Sequence, residues 1–181
     1  MAGNLAPAAR FHTAPDPMKL YSRDAHVDDA NVVCELVRCS IINCCRADHG
    51  NDPQLLETWL SNKTPGNFRQ WIEAEGNFGV VVEADNRLAG FALCSGSGEI
   101  LLCYVAPEFM HCGIGRVLLG HLESQARNRR LCHLHTTTTR SAEAFYARNG
   151  FLPAEVRRQT SRLPGKPLSK NLDSAEPGKL G

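Results

Sequence analysis

Residues 104–123 read YVAPEFMHCGIGRVLLGHLE, and the choice of fold hangs on that stretch. Gly113 and Gly115 stand one residue apart, directly ahead of an apolar run of helical period in which Ile114, Val117, Leu118 and Leu122 share a face. A helix start ordinarily favours Ser, Thr, Asp or Asn, whose side chains cap it. Glycine there leaves the first N–H groups and the positive end of the helix dipole open to an anion, with no Cβ in the way. The preceding residues, 99–105 (EILLCYV), are almost wholly apolar, which predicts a central strand covered on both faces. The loop therefore leaves a strand at its C-terminal end, where α/β sheets take their ligands. A phosphate group suits the arrangement. It is not a Walker loop, which needs G-x-x-x-x-G-K-[ST], and a G-x-G-x-x-G fingerprint would need glycine where Leu118 stands.

Outward from this loop the grammar is that of an α/β domain. Residues 78–105 hold three strands in succession, with turns at Asp85-Asn86 and at the Gly96-Ser97-Gly98 tract, so an antiparallel meander is expected. Residues 19–23 read as a first strand and residues 28–45 as one amphipathic helix, with Val33, Val37, Ile41 and Cys45 at four-residue spacing. Two more helices follow, one opened by Asp52-Pro53 and one by Thr64-Pro65, each a cap followed by proline at the first helical position. After the glycine loop come a helix to about residue 130, a strand over 131–137, a short helix for which Ser141 can serve as cap, and a hairpin turning at Pro164-Gly165. The predicted order is β-α-α-α-β-β-β-α-β-α-β-β, an α/β fold with a mixed sheet flanked by helices. The strand at 131–137 should lie parallel beside 99–105 and splay from it at the C-terminal end.

Composition narrows the classes. With 181 residues, 43% hydrophobic and 22% charged, the chain is long enough for one domain with a genuine core. Residues 1–17 read as a disordered lead-in, 18–172 as the domain, and 173–181 as a disordered tail. A net charge of +1 exerts no general pull on nucleic acid or an anionic membrane. Arg127, Arg129 and Arg130 cluster where cations complement a helix C-terminus. No apolar run reaches membrane-spanning length, so neither nucleic acid nor membrane is an expected partner, while a homodimer stays open. None of the eight cysteines forms a C-x-x-C pair, and a zinc site using His26 or His49 lacks ligand spacing. No metal is expected, and a reducing cytoplasm is.

Two motifs together point further. Residues 104–123 resemble the acetyl-coenzyme A loop of the GNAT N-acetyltransferase family: a strand ending V-x-P, then [QR]-x-x-G-x-[GA], then an amphipathic helix. Residues 141–151, SAEAFYARNGF, resemble that family's second signature, A-x-x-F-Y-x-x-x-G-F, at a matching separation. The resemblance covers residues 19–172 and is strongest over 99–151. It implies the GNAT acyl-CoA fold and acetyl-CoA as co-substrate, with Tyr104, Val105, Met110, His111, Cys112, Gly113, Ile114, Gly115, Arg116, Ser141 and Tyr146 along its path. It departs from the pattern at Met110, which stands at the [QR] position and removes a side-chain contact to pyrophosphate, and at Ser141, where the family often has Asn.

The implied activity is transfer of an acetyl group to an amine of a small molecule or peptide by direct attack. The alternative is a non-catalytic acyl-CoA-binding sensor or interaction module. Amide formation from a thioester needs a base for the amine and a proton donor for the departing sulfur. Glu99, at the head of the central strand, is similar to the base of histone acetyltransferases in the superfamily, and is equally readable as a solvated strand-end carboxylate. Tyr146 matches the motif tyrosine near the CoA sulfur, against a reading as a core aromatic beside Phe145. Cys112, beside a helix N-terminus, tempts as a nucleophile but reads better as structural. His49, Trp59, Trp71 and His135 are the candidates for the acceptor pocket.

Overall fold

A computed structural model describes residues 18–155 and 165–173. The expected lead-in and all but the first residue of the expected tail fall outside that range, as does Pro164 of the expected hairpin turn. Strand β1 (Leu20–Asp24) is followed by a 3-10 turn (Val27–Asp29) and helices α1 (Ala30–Cys44), α2 (Arg46–His49), α3 (Pro53–Leu60) and α4 (Pro65–Glu73). Then come β2 (Phe78–Ala84), β3 (Arg87–Cys94), β4 (Ile100–Val105), a 3-10 turn (Pro107–Phe109) and α5 (Ile114–Asn128). Strand β5 (His133–Thr138), α6 (Glu143–Arg148), β6 (Leu152–Pro153) and β7 (Lys166–Asn171) complete the described chain. None of the described helices is long and apolar enough to cross a membrane.

The helices form where local chemistry says they should. Asp52 accepts hydrogen bonds from the amides of Gln54 (2.8 Å) and Leu55 (3.3 Å), and Thr64 accepts from Asn67 (3.2 Å), so both predicted caps act as caps. The helix expected over 28–45 is present as α1, trimmed at both ends. His26 caps a 3-10 turn ahead of α1, Cys45 leaves helical geometry at φ −101°, ψ 25°, and α2 closes on Gly50 in the left-handed region. The turn between β2 and β3 puts Asp85 and Asn86 at positive φ (48° and 63°), as a tight hairpin requires.

Alternation along β2 and β3 divides the core into two layers. Val80, Val82 and Ala92 face α5, packing with Ile114, Leu118 and Leu122, while Val81, Phe91 and Leu93 face α1 and α4, packing with Val33, Val37, Ile41 and Phe68. The sheet order is β1-β2-β3-β4, all antiparallel, with a second sheet β5-β7-β6. Strands β2 and β3 are therefore the central ones. Strand β4, expected at the centre and covered on both faces, is an edge strand of its sheet, and Leu101 is 41% exposed. Its apolar character has another cause: beyond its first residues it borders an opening.

The two sheets meet at one point. Glu99 and His135 form a parallel bridge, and the His135 amide donates to the Gly98 carbonyl at 2.9 Å. One residue further the backbones have already parted, and the Thr136 hydroxyl spans the gap to the Ile100 carbonyl at 3.1 Å. From there β4 and β5 run side by side without backbone pairing. The expected parallel pair, splayed toward its C-terminal end, is present.

Candidate functional site

The opening between β4 and β5 widens into a cleft of about 650 Å³ that runs from Ile100 past Tyr146 to the glycine loop. Gly113 is the N-cap of α5 at φ 85°, a conformation only glycine adopts cheaply, and nothing lies within 4 Å of where its Cβ would stand. The Cys112 amide donates back to Phe109 (3.3 Å) and the Arg116 amide to Gly113 (3.0 Å). The amides of Gly113, Ile114 and Gly115 donate to no backbone carbonyl among the described residues. Three undonated N–H groups at the positive end of a four-turn helix, below an unobstructed glycine, fit a pyrophosphate.

The second glycine has a different reason for being there. A Cβ on Gly115 would sit 2.8 Å from Cε2 of Phe145, so its absence makes room for a ring from α6. The sequence reading, in which both glycines admit ligand, holds for the space around Gly113 and needs this correction at Gly115. The contact also ties the two motifs together, because Phe145 packs edge-on against Tyr146 at 5.1 Å between centroids. Gly115→Ala should therefore displace Phe145 and cost about 1–3 kcal/mol of stability. Thermal unfolding checks this, with Phe145→Leu in the same chain expected to recover most of the loss.

Tyr146 occupies the fork itself. It is 5% exposed, lines the cleft, and packs at 5.1 Å against Phe151. Its hydroxyl stands near the side chains of Thr136 on β5 and Cys103 on β4, at the level where the two backbones no longer pair. Burial, seconded by the nearby Cys103 thiol, raises its phenol well above the ordinary value, so it stays protonated at neutral pH. Burial also pushes the Cys103 thiol up to about 12, which keeps that sulfur a thiol. The sequence reading weighed Tyr146 near the CoA sulfur against a core aromatic beside Phe145, and the structure separates the two rings. Tyr146 is the buried one, and Phe145 is half-buried against Gly115.

Of the other residues expected along the cofactor path, Tyr104, Val105, Met110, His111, Arg116 and Ser141 line the cleft. Cys112 is exposed and Ile114 is buried in the core beneath the loop, so these two can contribute backbone only. Ser141 does not cap α6, whose N-cap is Ala142 without a side-chain bond. Its amide and hydroxyl are both bound to the Asp48 carboxylate, the amide at 3.0 Å, which moves the helix start one residue on. Asp48 was not foreseen, since nothing local marks a residue on α2 as the partner of a loop 93 positions later.

Across β4 lies a second hollow of about 390 Å³, and Trp59, Tyr104, Thr137 and Thr139 border both spaces. Trp59 and Trp71 line this hollow as expected, and Glu99 stands on its wall. Burial raises the phenol of Tyr104, which lies beside Trp59. His135 lines neither space. Burial lowers its imidazole against the opposing pull of Glu99, and its Nδ1 has no hydrogen-bond partner among the described residues. His49 is removed from the acceptor candidates. It is 2% exposed, with Nε2 3.2 Å from the Ile41 carbonyl and Nδ1 accepting from the Asn51 amide at 3.1 Å, and it fastens the end of α2. Lys63, which no sequence signal marked, takes its place on the hollow's wall.

A split sheet with an anion cradle at the foot of the split defines an acyl-CoA-binding α/β fold. The acetyltransferase (GNAT) domain family matches residues 46–172, and the chain belongs to that family. An amino-acid acetyltransferase of Pseudomonas putida is 37% identical over 95 residues, which are 50% of this chain and 22% of that relative. The chain thus spans about a fifth of the length of the curated relatives it matches. A GCN5-related N-acetyltransferase structure from Rhodopseudomonas palustris superposes with TM-score 0.72 at 21% identity, covering 88% of this chain and 99% of that one. The PaiA N-acetyltransferase of Thermoplasma acidophilum, solved in complex with coenzyme A, gives TM-score 0.71 at 20% identity, covering 85% and 99%. At these identities the likeness speaks to the fold.

Proposed function

We propose that residues 18–172 form one catalytic domain, an acetyl-CoA-dependent N-acetyltransferase that acts on an amine of a small molecule or peptide by direct attack. The observation carrying this reading is the alignment of three undonated amides at Gly113, Ile114 and Gly115 with an open β4 edge that ends at the Tyr146 hydroxyl. Bound acetyl-CoA supplies an acetyl group activated as a thioester. The glycine-loop amides hold its pyrophosphate, Arg116 adds a positive charge at the mouth, and the exposed edge of β4 receives the pantetheine arm. Met110 lines the same stretch without a charge to offer, so the backbone carries the anion contact.

Glu99 faces the second hollow and takes the proton that the amine sheds on forming the amide. Tyr146 donates its phenolic proton to the departing sulfur. Cys112, exposed and outside the cleft lining, has no part in the transfer. A cytoplasmic location belongs to the same reading, supported by eight cysteines that are all free.

Release of free thiol from acetyl-CoA in the presence of a panel of amines tests the proposal. Amine-dependent release supports it, whereas CoA binding without release under any amine leaves the non-catalytic module, the reading that uncharged Met110 favours. For Glu99→Gln, we expect a lower kcat/KM and loss of the acid limb of its pH profile, because that limb reports protonation of the base. The profile is measured with a weakly basic aromatic amine, whose own titration lies outside the range. A limb that survives the substitution would return Glu99 to a structural role and point to His135.

A further inference from the structure

We propose that Lys63 receives a carboxylate of the acceptor, so that the molecules acetylated are amines that also carry a carboxylate group. The proposal rests on the acetyl-transfer reading above and extends it from the reacting amine to the rest of the acceptor.

Lys63 is 7% exposed, unusual for a lysine without a carboxylate beside it. Its ammonium donates to Asn62 Oδ1 at 2.6 Å and lies 5.6 Å from the centroid of the Trp71 ring. Among the described residues no carboxylate oxygen lies within salt-bridge distance of it, although Arg23, Arg87, Arg127, Lys166 and Lys170 all have such partners. Removing an ammonium from water without an opposing charge is unfavourable, and the position is retained only where something offsets the cost. Burial accordingly lowers the Lys63 pKa, with no charged group opposing. An anion entering the hollow would supply that opposition.

The backbone around Lys63 is firmly set. Its carbonyl accepts from Cys34 Sγ at 3.2 Å and from Arg38 Nη1 at 3.1 Å, and its amide donates to Leu60 at 3.0 Å. The ammonium has three protons and Asn62 Oδ1 takes one, and Asn62, which also lines the hollow, carries an amide NH₂ as a second donor. Two donors side by side, carrying one positive charge between them, match a carboxylate better than a phosphate dianion. Glu99 lines the same hollow, so an acceptor can lie with its amine toward Glu99 and its carboxylate toward Lys63. At about 390 Å³ the space suits a small molecule or the end of a peptide.

The chain's two tryptophans, Trp59 and Trp71, both line this hollow, so their fluorescence reports its occupancy without any turnover. The full chain, saturated with CoA, is titrated with N-acetylated glycine, leucine, phenylalanine and glutamate and with the matching α-carboxamides. At least one carboxylate should bind more tightly than its amide by about 10- to 150-fold, the worth of a hydrogen-bonded charge. Lys63→Met, which keeps the apolar stem, should erase that preference, and Lys63→Arg should keep part of it. Unfolding temperature and CoA affinity of each variant serve as folding controls.

A panel in which no carboxylate outbinds its amide overturns the proposal, as does a preference that survives in a folded Lys63→Met chain. Thiol release is measured separately. A Lys63-dependent preference in a chain that acetylates nothing would leave Lys63 as a carboxylate site but overturn the transferase reading, and with it the site's role in receiving an acceptor. Transfer to amines with no regard for the carboxylate would do the reverse.

Discussion

Tyr146→Phe should lower kcat for acetyl transfer by about 10²- to 10⁴-fold while leaving acetyl-CoA affinity nearly unchanged, the range typical of a positioned general acid. The phenol sits at the fork of β4 and β5 with its proton retained by burial. Charge gathers on the departing sulfur mainly after the ground state, so a donor there stabilises the transition state and not the bound reactant. Removing it should reduce kcat and kcat/KM together. The same substitution also removes a buried hydroxyl from beside Thr136 and Cys103, and so acts on stability as well as on chemistry. Unfolding temperature must therefore be recorded with the kinetics. A variant that melts a few degrees lower yet turns over normally, with chemistry rate-limiting, would show that Tyr146 only fastens the fork.

Gly113→Glu should remove measurable acetyl-CoA binding. Gly113 is held at φ 85°, where any side chain costs about 1–2 kcal/mol in backbone strain, and the space beyond it is open. The strain alone would leave a folded protein with weaker binding. A carboxylate projecting over the three amides proposed to hold the diphosphate adds bulk and like charge at the same spot. Calorimetric titration of Gly113→Ala separates the contributions. Alanine should weaken binding modestly through the backbone, and the further loss on going to glutamate belongs to charge and size. Equal, unimpaired affinity in both would reduce the loop to a turn.

Much of this was legible in the sequence, and the reason is range. A helix cap, a proline at a first helical turn, a left-handed glycine and an alternating strand each express interactions within about four residues, so Asp52, Thr64, Asp85-Asn86 and Gly113 could be read directly. The two motifs are local patterns of the same kind, and their separation along the chain was enough to indicate the family and the splayed pair. The apolar run of β4 misled because composition reports that a strand avoids water and not what covers it. Here one side of the strand borders a cleft, and β2 and β3 hold the centre.

What only the tertiary structure decided are the pairings between distant segments. Gly115 answers to Phe145, Ser141 is bound to Asp48 in place of capping its own helix, and His49 is occupied in fastening α2. Lys63 carries no motif at all, and its burial without a carboxylate partner among the described residues appears only once α3, α4 and β4 close around one hollow. The sequence by itself determined the fold family and the open glycine at the head of α5, because those depend on short-range backbone chemistry. The acceptor side was decided by packing, because it is assembled from side chains that meet only after the chain has folded.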